Sequence, residues 1–594
     1  MNKTRWSVIA SLVACCCGAH AQEIDPVVPV TAEEAGLTRI VPDTLVWFSV
    51  SRNSPQLGGF DGNVGDMAQP GSSVEATAGV LGDSTFLLAA TTQATDNPAN
   101  MSFTSVLIPA DGSPASLDNL FYDDSGSPWL TQINLSRQTG NPGRIGGDPR
   151  YGAVHYAGAG EVSLFAYPQF NSDGRWDGPF FNALSGVNAR SYGVQIHQLD
   201  PLTLASTPSS KALDSMFGRL WKDQEPTQAS DQIGRTGSRP IGLDNGNFLF
   251  VGEDRSRLSN PGGNATIATI IAPDGSIVKE SWKVADGDMW DSAGAYRGGF
   301  FIRPAGGIIY FYDNAGDLRG EVDHNETSGL AYETGRSDGT RMASDIRSHY
   351  VFMAGRSLNP QLGFDDIVLS VWDARTLSFV TSTVVSEGEP DQWRTLDRCN
   401  VACDAYNRVA VSWRLKPDRE FWSLDQCAAR VMAFDGTDFE PLTPQFFPFI
   451  QSDASMTQQA GFESREPSVA MTPRAILFYA KGQWNGIPNA TSPAVTLANT
   501  HCYTILSHPD PKPAPQPEMT LTHSSPNATV SWLADAGLFT LQSSATPTVA
   551  DSWTDVSPQP AFTRTGYVDE NDRYEMGVPA DAATTTFYRL VRRS

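Results

Sequence analysis

The stretch Arg239-Pro-Ile-Gly-Leu-Asp-Asn-Gly-Asn-Phe-Leu-Phe-Val-Gly252 holds two apolar runs around a tight turn. Asn-Gly between apolar runs supplies the positive φ values of a two-residue hairpin turn, so the stretch predicts two paired antiparallel strands. After a polar loop, residues 266–272 and 277–284 flank Pro273-Asp-Gly-Ser276 in the same way, which completes a four-strand meander. Six further copies open near Val74, Pro149, Tyr296, Asp345, Arg398 and Arg465. The clearest share wording: Asp148-Pro-Arg-Tyr-Gly-Ala-Val, Arg239-Pro-Ile-Gly-Leu, Arg398-Cys-Asn-Val-Ala and Glu466-Pro-Ser-Val-Ala. Third strands echo one another at 106–112, 194–200, 368–373 and 431–436.

Units of roughly 50 to 85 residues with this grammar resemble the blades of the β-propeller superfamily. The expected fold class is therefore all-β, a seven-bladed propeller; the weak unit near Tyr296 leaves six or eight blades open. The last unit lacks a fourth strand before the proline-rich run 509–517. The orphan strand 45–50, Leu-Val-Trp-Phe-Ser-Val, is expected to fill that place and close the ring, removing exposed sheet edges. The propeller is read as 22–508, the linker as 509–517, and 518–594 as a small fibronectin-III-like β-sandwich. Phe539-Thr-Leu-Gln-Ser-Ser, Ser552-Trp-Thr-Asp-Val and Thr586-Phe-Tyr-Arg-Leu resemble the C-terminal modules of secreted Verrucomicrobia-like bacterial proteins, where the module is an accessory.

Lys3 and Arg5, an apolar run and Ala19-His-Ala21 predict a signal peptide over 1–21. Leu12-Val-Ala-Cys15 is a competing lipobox that would leave a lipoprotein anchored at Cys15. Either reading places the chain outside the cytoplasm: secreted, periplasmic or attached at the cell surface. No other stretch has the ~20 apolar residues of a membrane helix. The formal charge is −24, and two units more negative once Lys3 and Arg5 are removed, which argues against nucleic-acid partners. Cys399, Cys403, Cys427 and Cys502 remain after cleavage, and in an exported chain they predict structural disulfides of open connectivity.

Tight first-to-second and third-to-fourth turns leave the long second-to-third loops on one face, which is the expected working surface. Those loops carry Trp176, Trp422 and Trp484, flat apolar rings suited to stacking on sugars. Arg150, Arg239, Arg297, Arg347, Arg398 and Arg465 stand at unit starts, where guanidiniums around the channel mouth would hold a carboxylate, sulfate or phosphate bidentately. Acidic residues beside several of them, among them Asp345 and Glu466, make structural locks the competing reading. His155, His197 and His349 are acid–base candidates. No nucleophile elbow, phosphate loop, dinucleotide fingerprint or zinc motif occurs, so no catalytic residue, cofactor or metal is assigned. The expected function is binding of a carbohydrate or other anionic ligand, with a glycoside hydrolase or polysaccharide lyase on the same face, or a protein-interaction scaffold, as alternatives.

Overall fold

The computed structural model describes residues 30–48, separate strands between 76 and 233, and, with gaps at loops, residues 240–513 and 519–592. Among the described residues, seven antiparallel sheets precede the linker. The third contains the stretch read first: Pro240–Gly242, Phe248–Arg255, Ala265–Ile271 and Ile277–Asp286, paired in that order. The fourth is Met289–Tyr296, Gly299–Pro304, Ile308–Asp313 and Leu318–Asp323. The fifth is Thr340–Ser344, Tyr350–Asn359, Phe364–Asp373 and Ser378–Val384. The sixth is Asn400–Cys403, Arg408–Pro417, Gln426–Phe434 and Phe439–Pro441. The first sheet begins at Ala76–Leu81, the second at Ala153–Tyr156 and the seventh at Phe462–Met471.

These first strands are mutual neighbours. Each lies against the first strand of the next sheet, and Phe462–Met471 lies against Ala76–Leu81. The arrangement is propeller-like, and its hydrophobic core is correspondingly divided. Apolar clusters fill the spaces between consecutive sheets from the third to the seventh. Alternation along one strand serves two of them: Val409, Val411, Trp413 and Leu415 pack toward the fifth sheet, while Ala410 packs toward the seventh. A strand buried on both faces needs a continuous apolar run, which is why these strands read so clearly in the sequence.

Arg39–Phe48 pairs antiparallel with Thr496–Ser507, so the expected N-terminal strand does complete the seventh sheet. Thr38 N donates to Ser507 Oγ (2.9 Å), Ser507 N donates to Thr38 O (2.7 Å), and Arg39 Nη1 donates to Thr504 Oγ1 (2.7 Å). Val30–Thr31 also pairs, in parallel, with Phe446–Phe447, a contact that the sequence reading missed. The N-terminal segment thus clasps the sixth and seventh sheets together.

Three expectations are corrected. The fourth and fifth sheets start at Met289 and Thr340, before the starts read near Tyr296 and Asp345. Their first strands are rich in small residues because neighbouring chains approach closely; a Cβ on Gly294 would sit 2.8 Å from the Phe301 ring. Cys399, Cys403 and Cys427 are thiols in this structure rather than halves of disulfides, and the Cys502 side chain lies outside the described residues. Burial pushes the Cys427 thiol far above its usual range, which makes it a poor nucleophile.

Beyond the linker lie two three-stranded sheets. One comprises Met519–Ser524, Asn527–Leu533 and Arg573–Pro579, the other Thr554–Asp555, Phe539–Ser544 and Phe587–Arg592. No helix among the described residues is long and apolar enough to cross a membrane.

Candidate functional site

First strands run from the loop side of the sheets to the turn side. In three sheets the approach to the first strand pairs twice with the second strand. Gly143–Arg144 precedes Ala153–Tyr156, Gln232–Ile233 precedes Pro240–Gly242, and Trp393–Thr395 precedes Asn400–Cys403. Arg150, Arg239 and Arg398 fall in sequence between the members of each pair and lie outside the described residues. In the seventh sheet one strand takes both roles, and its register shifts between Arg465 and Ser468. In sequence Arg150, Arg239 and Arg398 each stand one to three residues before a first strand, and Arg465 lies within one, ahead of its register shift. Pro149, Pro240 and Pro467 accompany them; lacking an N–H, proline suits a break in a ladder. Trp484 lies on the adjoining strand, paired with Phe462 and Leu497. Trp176 and Trp422 lie outside the described residues.

Arg297 and Arg347 do not share that position. Both stand in first-to-second turns, at the opposite end of the strands. Arg347 is a lock: its Nε and Nη2 donate to the two oxygens of Asp345 at 2.7 and 2.8 Å. The same fork recurs in the third-to-fourth turn of the fifth sheet, where Arg375 holds Asp373. In the sixth sheet Arg408 and Asp404 are 2% and 1% exposed and bonded through Nε and Nη2. Arg408 also donates to His508 Nδ1 and to the carbonyls of Asp510 and Pro473, which fastens the start of the linker to this side.

The aspartates do a second job. Asp313 Oδ1 accepts from Ala315 N and Asp317 N, both at 2.9 Å, and Asp345, Asp373, Asp404 and Asp435 cap their turns in the same manner. Third strands read as ending near Asp for this reason: the carboxylate replaces backbone acceptors within the turn. Asp313-Asn-Ala-Gly-Asp317 is accordingly such a turn.

Arg297 lacks such a partner. Its Nε and Nη2 are buried and without a hydrogen-bond partner, and so are both ring nitrogens of His349. Backbone bonds fix the two turns: Arg297 N donates to Ser348 O (2.8 Å), next to His349, and Ala374 N donates to His349 O (2.9 Å). The Arg297 backbone also approaches the His349 ring, but no hydrogen bond of good geometry forms. Burial, then the Arg297 and Arg375 charges, hold His349 neutral, with its pKa down at about 4.

On the loop side, buried basic residues that the sequence reading did not single out accompany the fourth and fifth sheets. Arg303 ends a second strand, His324 opens a short helix capped by Asp323, and Arg341 lies on a first strand. Burial, followed by the Arg303 charge, depresses the His324 pKa to about 4. No sequence signal marked these residues, since each is a lone basic residue in an otherwise ordinary strand or turn. Of the other histidines considered, His155 and His197 lie on strands whose side chains are outside the described set.

No protein-family model and no curated protein matches the chain. Among solved structures it is similar to the acylaminoacyl peptidase of Pyrococcus horikoshii, at 10% identity and a TM-score of 0.36. That match covers 77% of this chain and 57% of the peptidase, so the chain spans little more than half of its length. The propeller domain of the trilobed protease from Pyrococcus furiosus is similar at 9% identity and a TM-score of 0.27, with 64% and 88% covered. BamB from Moraxella catarrhalis is similar at 10% and 0.25, with 60% and 82% covered. Likeness this distant carries nothing about chemistry.

Proposed function

We propose that the chain is an exported seven-bladed propeller, followed by a fibronectin-III-like sandwich over 518–594, that binds an anionic glycan on its loop-bearing face. What supports this reading is the recurrence in sequence of Arg150, Arg239 and Arg398 just before first strands, with Arg465 on the first strand of the seventh sheet. Guanidiniums recurring at that position of the repeat, in a chain with a formal charge of −24, would gather cations where they can meet a carboxylate or sulfate. Trp484 on the neighbouring strand adds a stacking surface of the kind sugars use. A lyase on this face would need a neutral histidine beside an arginine and open to substrate. His324 beside Arg303 has that chemistry but is fully buried, so among the described residues it offers a lyase no accessible base, and glycan binding is the reading adopted.

The test uses the chain from Gln22 on a glycan array of polyuronates, sulfated polysaccharides and neutral glycans. Acidic glycans are expected to be retained, with Arg398→Ala and Arg465→Ala each weakening retention at unchanged thermal stability. Absence of retention on every acidic polysaccharide overturns the reading.

A further inference from the structure

Three turn-side arginines near the junction of the fourth and fifth sheets can be compared directly. Arg347 and Arg375 each turn the Nε/Nη2 edge of the guanidinium toward a carboxylate from their own turn, Asp345 and Asp373. That edge presents two parallel N–H groups, which match two oxygens of one oxyanion. Arg297 keeps the same edge, Nε and Nη2, buried and without a hydrogen-bond partner. Its turn runs Arg297-Gly-Gly299, so the position occupied by aspartate in the other turns holds no acidic side chain.

The surroundings raise the demand for an anion. Arg319 donates to the carbonyls of Ala374 and Arg375, which adds a further cation to this corner. Both nearby carboxylates, Asp345 and Asp373, are committed to Arg347 and Arg375. The ring of His349, with no hydrogen-bond partner of good geometry on either nitrogen, lies near enough to Arg297 to feel its charge. A buried polar group left unsatisfied costs about 1–3 kcal/mol, so four such nitrogens on two adjacent residues mark a ready-made receptor rather than a neutral accident of packing. Arg297 nonetheless retains partial exposure, so the place is reachable from solvent.

We propose that Arg297 and His349 form a second anion site, on the turn side and distinct from the loop-side arginines, that takes one compact oxyanion with two coplanar oxygens in reach of the Arg297 fork. Arg297 supplies the bidentate contact and His349 a single N–H. The chemistry is shared by a terminal carboxylate, sulfate and phosphate.

Isothermal titration of the chain from Gln22 at constant ionic strength, with acetate, sulfate and inorganic phosphate in separate arms, identifies the preferred anion. One Arg297-dependent binding event per chain is expected. Arg297→Gln is expected to weaken binding by about tenfold or more, as for a charged hydrogen bond, and Arg297→Lys by less, because it keeps the charge and loses the fork. His349→Phe is expected to weaken it by a smaller factor. Arg465→Ala is expected to leave it unchanged, so failure of the loop-side reading and failure of this one are separable. Equal binding by wild type and Arg297→Gln overturns the proposal, as does no measurable binding of all three anions. A fall in the anion-free unfolding midpoint of Arg297→Gln as large as that of Arg347→Ala also overturns it, since the guanidinium would then be a lock.

Discussion

The two ends of the sheets obey different rules. On the turn side, short connections are capped by aspartates, and arginines bind those aspartates or the neighbouring turn, so charge is spent within the fold. On the loop side, the second and third strands run on past their neighbours. In the fifth sheet they stay paired from Tyr350 to Asn359, whereas the fourth strand follows the third only as far as Val368. In sequence Arg150, Arg239 and Arg398 fall just before first strands, and Arg465, paired with Lys481, stands next to a register shift. The turn-side arginines that meet an aspartate are thus fasteners, whereas Arg297, in a turn without one, and the loop-side arginines are candidate ligands.

The sharpest way to break this contrast is to remove a fastener. Arg408→Ala is expected to destabilise by about 3–5 kcal/mol, because it strands Asp404 in the interior and releases the linker. Denaturant unfolding checks it, and the double variant Arg408→Met with Asp404→Asn should lose less than the single one. A loss under about 1 kcal/mol would mean that the turn side is not locked by charge.

Acidification should act next, through the buried histidines at both ends, His324 on the loop side and His349 and His508 on the turn side. His349 has its pKa held at about 4 and His508 at about 3, against 6.5 for an unperturbed histidine. Both are lowered first by burial and then by arginine, from Arg297 and Arg408 respectively. The unfolded chain therefore binds more protons than the folded one below pH 6.5, so stability is complete above that value and is lost as the pH falls toward 4. Asp404, raised by burial, opposes this in part. The unfolding midpoint is expected to drop steadily from pH 7 to 4, and more shallowly in His349→Gln. A flat profile would show that these imidazoles can take up protons in the folded state.

Much of this was legible in the sequence, for reasons that also explain the misses. Asp-Gly and Asn-Gly turns mark hairpins because few other residues adopt their backbone angles, and strands buried on both faces read as unbroken apolar runs. The closing strand could be found because it was an apolar segment with no partner of its own. Met289–Tyr296, by contrast, carries Gly294 and alanines where the first strands crowd together, so its apolar signal is faint. Treating Arg297 and Arg347 as unit markers then displaced two sheet starts. The meeting of Arg297 with His349 has no sequence signature, since it is made by two turns from different sheets. Disulfide pairing failed as an expectation for Cys399, Cys403 and Cys427 because spacing says nothing about which way buried thiols point.

A smaller effect separates a turn cap from a lock. Asp313 accepts two backbone N–H bonds at 2.9 Å and has no arginine on it, so Asp313→Ala is expected to cost about 1 kcal/mol, measured by denaturant unfolding. Asp313→Asn should recover most of that, because an amide oxygen accepts the same bonds.

The smallest stability change belongs to the loop side, and there it is the informative one. Arg465 sits at a register shift and Trp484 lies beyond it on the adjoining strand, so neither is placed within a regular four-strand ladder. Arg465→Ala and Trp484→Ala are therefore expected to leave stability within about 0.5 kcal/mol of wild type while weakening retention of acidic glycan. Thermal unfolding and the glycan array read the two quantities on the same preparation. If either variant instead destabilises as Arg408→Ala does, the loop-side arginines are fasteners as well, and the two ends of the molecule follow one rule after all.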